Sequence, residues 1–215
     1  MARLHDELVL LPAETRIQNR DGLHELVSGF VQLQASVREL SLHKEGDRVV
    51  GGFGRPQMSV ARSILRSQVD PRVEDLRLIS RRLTAWPISV ENLLLRLLSE
   101  VRDEVDSCVI ALGRPRYVGA GKRIPEARSR LRVVQEVMGE VQRLIEAAAD
   151  DFSGADLTRV DPAMSDLAWL QWDAATQWPR GWEERIRRMS LEHAPGQFVV
   201  QPVDADDRAD WLADV

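Results

Sequence analysis

The sequence predicts a mostly α-helical fold: a single helical bundle of about six or seven helices with a short extended C-terminal tail. Two observations predict it. Apolar residues recur at steps of three and four residues over most of the chain, and β-branched, Gly-bounded segments are few. The chain has 215 residues, enough to bury one sizeable core. We therefore divide it into a bundle domain over residues 1–194 and an extended acidic tail over residues 195–215.

The clearest amphipathic patterns lie in the middle of the chain. The stretch SVENLLLRLLSEVRDEVDSCVIALG predicts a helix that Ser89 caps and that Gly113 and Pro115 end. Residues 124–150 follow with apolar residues at alternating steps of four and three, which is typical of antiparallel packing in a bundle. Its seam positions are Ala127, Leu131, Val134, Met138, Val141, Ile145 and Ala148.

Shorter helices are predicted on both sides of these two. The pairs Asp70–Pro71 and Asp161–Pro162 each join a capping residue to a proline suited to the first helical position. The remaining predicted helices cover residues 21–43, 59–69, 70–86, 162–179 and 181–192. The segments ELVLL, RVVGGF and QFVVQPV are predicted as edge strands or extended arms.

Composition excludes several classes of protein. Cys108 is the only cysteine, so the chain forms no internal disulfide and no four-thiolate metal site. The first residues do not resemble a signal peptide, and no uncharged apolar run approaches the roughly 18–20 residues that span a bilayer. We expect a cytoplasmic protein that does not enter the membrane and uses neither a metal nor another cofactor.

Common catalytic motifs are absent from the sequence. GRPRYVGAGKRIP contains Gly-Lys, but Arg116 and Arg123 stand where a phosphate loop needs Gly and Ser or Thr. The carboxylates Glu100, Asp103, Glu104 and Asp106, with Glu136 and Glu140 on the next helix, are expected to form solvated faces and not a metal site. Whether the protein is an enzyme stays open at this point, and the missing motifs favour a non-enzyme.

A basic stretch between the two long helices is a candidate site for nucleic acid or phosphate. From Gly113 to Arg132 there are seven basic residues and one acid. Guanidinium groups bind phosphate in pairs of hydrogen bonds, and an aromatic ring can stack on a base. The candidate residues are Arg114, Arg116, Tyr117, Lys122 and Arg123. An acidic protein, or the chain's own acidic tail, fits the same charges.

The stretch RMSLEH, from Arg188 to His193, resembles the R-x4-6-H motif of the helical HEPN ribonucleases. In that family two such motifs meet across a dimer and act on the 2′-hydroxyl and the scissile phosphate. The resemblance implies metal-independent RNA cleavage by Arg188 and His193. The same spacing recurs in RELSLH, from Arg38 to His43, and a His at a helix end is also favoured by the helix dipole alone.

The C-terminal quarter is rich in tryptophan. Four of the six tryptophans lie between Trp169 and Trp182, and Trp is among the residue types most enriched at binding hot spots. Burial in the core is the alternative use of these side chains. The candidate partner-binding residues are Trp169, Trp182, Phe198 and Trp211.

Three functions fit these patterns. The first is a non-catalytic adaptor, or a subunit of a multiprotein assembly, that binds a protein partner or itself through the Trp-rich segment and the basic loop. The second is a nucleic-acid-binding protein, including the HEPN-like ribonuclease. Regulation by a small ligand within the bundle is the third, and no sequence feature favours it.

Overall fold

The computed structural model describes residues 2–42, 63, 65–113, 120–163 and 165–202. The helices in this part are α1 (Ala2–Val9), α2 (Ala13–Gln18), α3 (Arg20–Leu42), α4 (Asp70–Arg82), α5 (Ile88–Gly113), α6 (Ala120–Asp150) and α7 (Glu183–Arg188), with a π-helical turn at Leu65–Val69. The strands are β1 (Gln171–Asp173), β2 (Ser190–Ala194) and β3 (Gln197–Val200). The predicted mostly α-helical class is confirmed.

Helices α3, α4, α5 and α6 pack in a closed ring, each against two of the others. Neighbours in the ring run antiparallel. Arg20 at the start of α3 pairs with Asp150 at the end of α6, and Glu25 of α3 pairs with Arg82 at the end of α4. Helix α1 lies against α5 and α6. The result is an up-down-up-down bundle.

The bundle core comes from the apolar stripes that the sequence predicts. Helix α5 buries Val90, Leu94, Leu98, Val101, Val105, Cys108 and Val109, and α6 buries Ala127, Leu131, Val134, Met138, Val141, Ile145 and Ala148. All the predicted seam positions of α6 are therefore core. Because burying one Leu or Val side chain contributes about 1.5–3 kcal/mol, these stripes account for the way the long helices pair.

Two predicted elements near the N-terminal half differ from the structure. ELVLL was predicted as extended, but Ala2–Val9 is helical and places Leu4 and Leu8 in the bundle core. Helix α4 ends at Arg82 and not near Trp86, because the side chain of Asn19 holds both the N–H and the C=O of Thr84 at 2.6 Å. The segment RVVGGF lies outside the described residues, and so do residues 59–62 and 64 of the helix predicted over residues 59–69.

The predicted helix over residues 162–179 is wrong. That stretch consists of turns and β1. The helix predicted over residues 181–192 is shorter, Glu183–Arg188, and is followed by β2. QFVV is the central strand of an antiparallel sheet with the order β1-β3-β2. The expected domain boundary after residue 194 falls in the turn between β2 and β3.

A second hydrophobic core lies under this sheet, separate from the bundle core. Its buried residues are Phe152, Leu157, Val160, Leu167, Leu170, Trp172, Trp178, Ile186, Phe198 and Val200. We call residues 151–202 the C-terminal unit. Among the described helices, none is long and apolar enough to cross a membrane.

Candidate functional site in the C-terminal unit

A five-residue period organises the first part of the C-terminal unit. Aspartates stand at positions 151, 156, 161 and 166, and each accepts a hydrogen bond from the backbone N–H two residues later, at 2.9–3.1 Å. The residue after each Asp is buried. These residues are Phe152, Leu157, Pro162 and Leu167. Each Asp therefore stabilises a turn of the chain, and the residue after it points into the core.

The chain makes one closed coil with this period. Asp151 forms a parallel bridge with Gln171, twenty positions later, and Asp156 forms one with Gln177. The N–H of Phe152 donates to the carbonyl of Gln171 at 2.9 Å. Four five-residue sides thus bring the chain back beside its own start, as in a coil of a parallel solenoid.

Trp172 is the centre of the core inside the unit. Its ring stacks on Phe198 with centroids 4.5 Å apart and meets Trp178 edge-on at 5.7 Å. Its indole N–H donates to the Ser190 hydroxyl at 2.9 Å. Such aromatic pairs add about 0.5–1.5 kcal/mol each beyond the area they bury. Phe198, predicted to bind a partner, therefore packs within the core.

Asp173 fixes the coil to the strand that follows it. Its carboxylate accepts the N–H of Gly154 at 2.9 Å, that of Ala175 at 2.9 Å and that of Thr176 at 3.0 Å. The hydrogen bond from Gly154, followed by those from Thr176 and Ala175, lowers the pKa of Asp173.

Arg20 joins the C-terminal unit to the bundle. This side chain is buried at the first position of α3, and it donates to the carbonyls of Ala149 at 3.0 Å, Asp166 at 2.8 Å and Ala168 at 2.6 Å. It also pairs with the Asp150 carboxylate at 2.7 Å. Because these acceptors belong to the end of α6 and to the coil, one guanidinium sets the position of the coil on the bundle.

The sheet has an outer surface that the rest of the described chain leaves open. In the strand register, Gln171, Val199 and Leu191 form one row across β1, β3 and β2. They alternate with the buried Trp172 and Phe198, so they lie on the opposite face. Leu191 is 59 % exposed.

Trp169 lies two residues before Gln171, where the chain enters β1. Its N–H donates to the carbonyl of Val200 at 2.7 Å, and its side chain is 58 % exposed. Its φ is 67°, a left-handed conformation that costs an L residue about 1–2 kcal/mol. We call Trp169, Leu191 and Val199 the outer surface. Trp169, a predicted partner-binding residue, is exposed at this edge of the sheet.

The other predicted residues are dispersed. Trp182 is half-buried against the second core, with Arg185 at 5.7 Å from its ring. Arg188 is exposed at the end of α7, where it pairs with Glu184. His193 is exposed in β2, at a bulge, and not at a helix end as the sequence predicts.

The basic loop lies largely outside the described residues. Arg114, Arg116 and Tyr117 are not described, and neither is Trp211. Lys122 and Arg123 lie in the first turn of α6, but their side chains are not described. The contact proposed for this loop therefore stays a prediction.

The carboxylates of α5 do not converge with those of α6. Glu104 pairs with Arg130 at 2.5 Å, and Glu100 pairs with Arg96 at 2.8 Å. Within the described ranges, no group of three or more His, Cys, Asp or Glu side chains is placed to hold a metal ion.

Comparison with known proteins adds no relative: no family model, curated protein or solved structure matches the chain.

Proposed function

We propose that this protein is a non-catalytic binding subunit that holds a protein partner on the outer surface formed by Trp169, Leu191 and Val199. The main support for this proposal is the conformation and exposure of Trp169. Its backbone has a left-handed φ of 67°, yet its indole is more than half exposed and gains little burial in return. Local strain of this kind is retained at sites where a specific contact depends on it.

The fixed backbone around Trp169 supports the same proposal. Arg20 holds the carbonyl of Ala168, and the N–H of Leu170 donates to Leu167 at 3.0 Å. A tryptophan fixed on both sides loses little conformational entropy when a partner covers it, and this loss is one of the main costs of binding. We place the protein in the cytoplasm in this proposal, which agrees with a single buried thiol, Cys108.

Two substitutions at one position test the role of Trp169. Trp169→Gly and Trp169→Ala both remove the indole, but only glycine adopts the left-handed φ without cost. We expect Trp169→Gly to be more stable than Trp169→Ala by about 1 kcal/mol in urea unfolding. Both variants should lose the partner that the immobilised wild-type protein retains from its native lysate. If the more stable glycine variant also loses the partner, the loss is due to the missing indole contact and not to a less stable fold.

Leu191→Glu and Val133→Glu form the matched control. Both replace an exposed apolar residue, 59 % exposed on β2 and 54 % exposed on α6. Leu191→Glu should abolish retention of the same partner, and Val133→Glu should leave it intact. Retention that survives both Trp169→Gly and Leu191→Glu, or that Val133→Glu also abolishes, contradicts the proposed surface.

A further inference from the structure

A cleft lies at the joint between the bundle and the C-terminal unit. It has a volume of about 710 Å³, and its walls are the turn between α1 and α2, the last turns of α6 and the start of the coil. Leu8, Leu11 and Leu144 supply apolar surface. Small residues, among them Ala147 and Gly154, leave the space open. The volume is within the range of small-molecule sites.

Arg16 is the mostly buried cation in the wall of this cleft. Its guanidinium stacks on Phe152 at 4.2 Å from the ring centroid. Nη1 donates to the carbonyl of Asp151 at 2.7 Å and lies 3.5 Å from that of Ala148. The buried Nε has no hydrogen-bond partner, and no ion pair of Arg16 is found among the described residues.

The positive charge of Arg16 is therefore poorly compensated. Burial lowers its pKa, and the nearby Asp151 carboxylate raises it by less. Nη2 has no partner among the described residues and, unlike Nε, is not sealed from solvent. A mostly buried guanidinium is usually paired with an anion, so the missing counter-charge indicates an anionic ligand.

The carboxylates that line the cleft already have partners. Asp151 accepts the N–H of Ser153, and Asp156 accepts the N–H and the hydroxyl of Thr158. The remaining one, Glu14, lies 3.8 Å from Arg159 at the rim. These acids leave Arg16 available, but they disfavour a ligand with more than one negative group.

We propose that this cleft binds an aliphatic carboxylate, with the carboxylate on Nη2 of Arg16 and the hydrocarbon over Leu8, Leu11 and Leu144. A fatty-acid-like molecule and the C-terminal residue of a peptide that ends in Leu offer the same chemistry. The site is separate from the outer surface, so its failure would leave the proposal for Trp169 unaffected.

Calorimetric titration of the full chain tests the chemistry and its source. The probes are octanoate, 1-octanol, and a pentapeptide ending in Leu as the free acid and as the amide. We expect the acids to bind saturably and the uncharged counterparts to bind at least about tenfold more weakly, because a charge-assisted hydrogen bond is lost. Binding by octanoate alone assigns a free aliphatic acid, and binding by the free-acid peptide assigns a chain terminus.

Substitutions at Arg16 and Ala147 test whether the ligand binds in this cleft. Arg16→Met should abolish octanoate binding, but it also removes a contact at the joint. Ala147→Leu fills the cleft from an exposed position of α6 and leaves Arg16 in place, so it should abolish binding in a folded protein. Ala147→Ser is the control and should bind as the wild type does. If neither acid binds the wild type, if octanol binds as tightly as octanoate, or if Ala147→Leu binds unchanged, the proposal is overturned.

Discussion

At the scale of single residues, the carboxylate of Asp173 holds several parts of the C-terminal unit together. It lies at the end of β1, and the N–H groups of Gly154, Ala175 and Thr176 converge on it. These N–H donors, the one of Gly154 first, and the Thr176 hydroxyl at 3.1 Å favour the ionised form, and the pKa of Asp173 is lowered for this reason. The bond from Gly154 spans nineteen residues, so protonation of Asp173 weakens a contact between the coil and β1.

This lowered pKa predicts how stability depends on pH. A group whose pKa is lower in the folded state contributes stability above its unfolded pKa, about 3.9 for Asp, and loses it as the pH falls through the folded value. We expect the free energy of unfolding to decrease as the pH drops below about 4. Urea unfolding at each pH, monitored by tryptophan fluorescence, measures this decrease. Asp173→Asn should be less stable near neutral pH and should lose less stability in acid. Equal acid losses in the two proteins would show that Asp173 is not responsible.

The candidate site was only partly predictable at this scale. Trp169 and Phe198 were predicted together, yet the alternation of β3 turns Phe198 inward and the left-handed turn leaves Trp169 exposed. Recognising QFVV as a central strand would have separated them. Arg20 has no such signal. It is one of many arginines, and only its tertiary acceptors distinguish it.

At the scale of elements, two glycines of α3 show how closely α4 approaches. A Cβ at Gly29 would lie 2.6 Å from Cδ2 of Leu76, which is fully buried. A Cβ at Gly22 would lie 2.4 Å from Cδ2 of Leu83, which is half-buried in the loop after α4. The spacing of seven residues places both glycines on the same face of α3.

Replacing Gly29 should therefore be costly although alanine is the better helix former. We expect Gly29→Ala to lower the free energy of unfolding by about 1–3 kcal/mol, because Leu76 cannot move without displacing the core. Gly139→Ala on α6 is the control. Its Cβ would lie 3.1 Å from the amide of Gln34, a side chain able to shift, so this change should be neutral or stabilise by up to about 1 kcal/mol. Thermal unfolding of both variants measures the difference, and equal effects would refute the close packing.

The same scale explains which elements were predictable. The stripes of α3, α5 and α6 repeat at the helical period for many turns, and long repeats dominate local preferences. The stretch from residue 162 to 179 also carries apolar residues at helical steps. There, however, aspartates such as Asp161 and Asp166 bond to their own backbone two residues later, which competes with the helix. The five-residue Asp period was the signal that could have revealed the coil.

At the scale of the whole molecule, two hydrophobic cores behave as one body only if their joint holds. The bundle core and the core of the C-terminal unit are distinct. Arg20 crosses the joint with two of its four hydrogen bonds, those to the carbonyls of Asp166 and Ala168, and Arg16 adds its bond to Asp151. The orientation of the outer surface on the bundle, and the shape of the cleft, both depend on this small set of contacts.

Removing Arg20 should therefore make the two cores unfold at different urea concentrations. Arg20→Met removes the donor of three carbonyls and leaves Asp150 with His24, at 3.2 Å, as its remaining partner among the described residues. Breaking a buried pair in this way costs about 3–5 kcal/mol. Far-ultraviolet circular dichroism follows the bundle. Tryptophan fluorescence follows mainly the C-terminal unit, which contains four of the six tryptophans.

In the wild type the two urea transitions should coincide, and in Arg20→Met the fluorescence transition should come first. Arg82→Met is the control. It breaks the exposed pair of Arg82 with Glu25, at 2.7 Å, and exposed pairs contribute at most about 1 kcal/mol. It should keep the transitions coincident. If Arg20→Met also unfolds in a single step with a small loss, then the joint is held by packing of the two cores and not by this guanidinium.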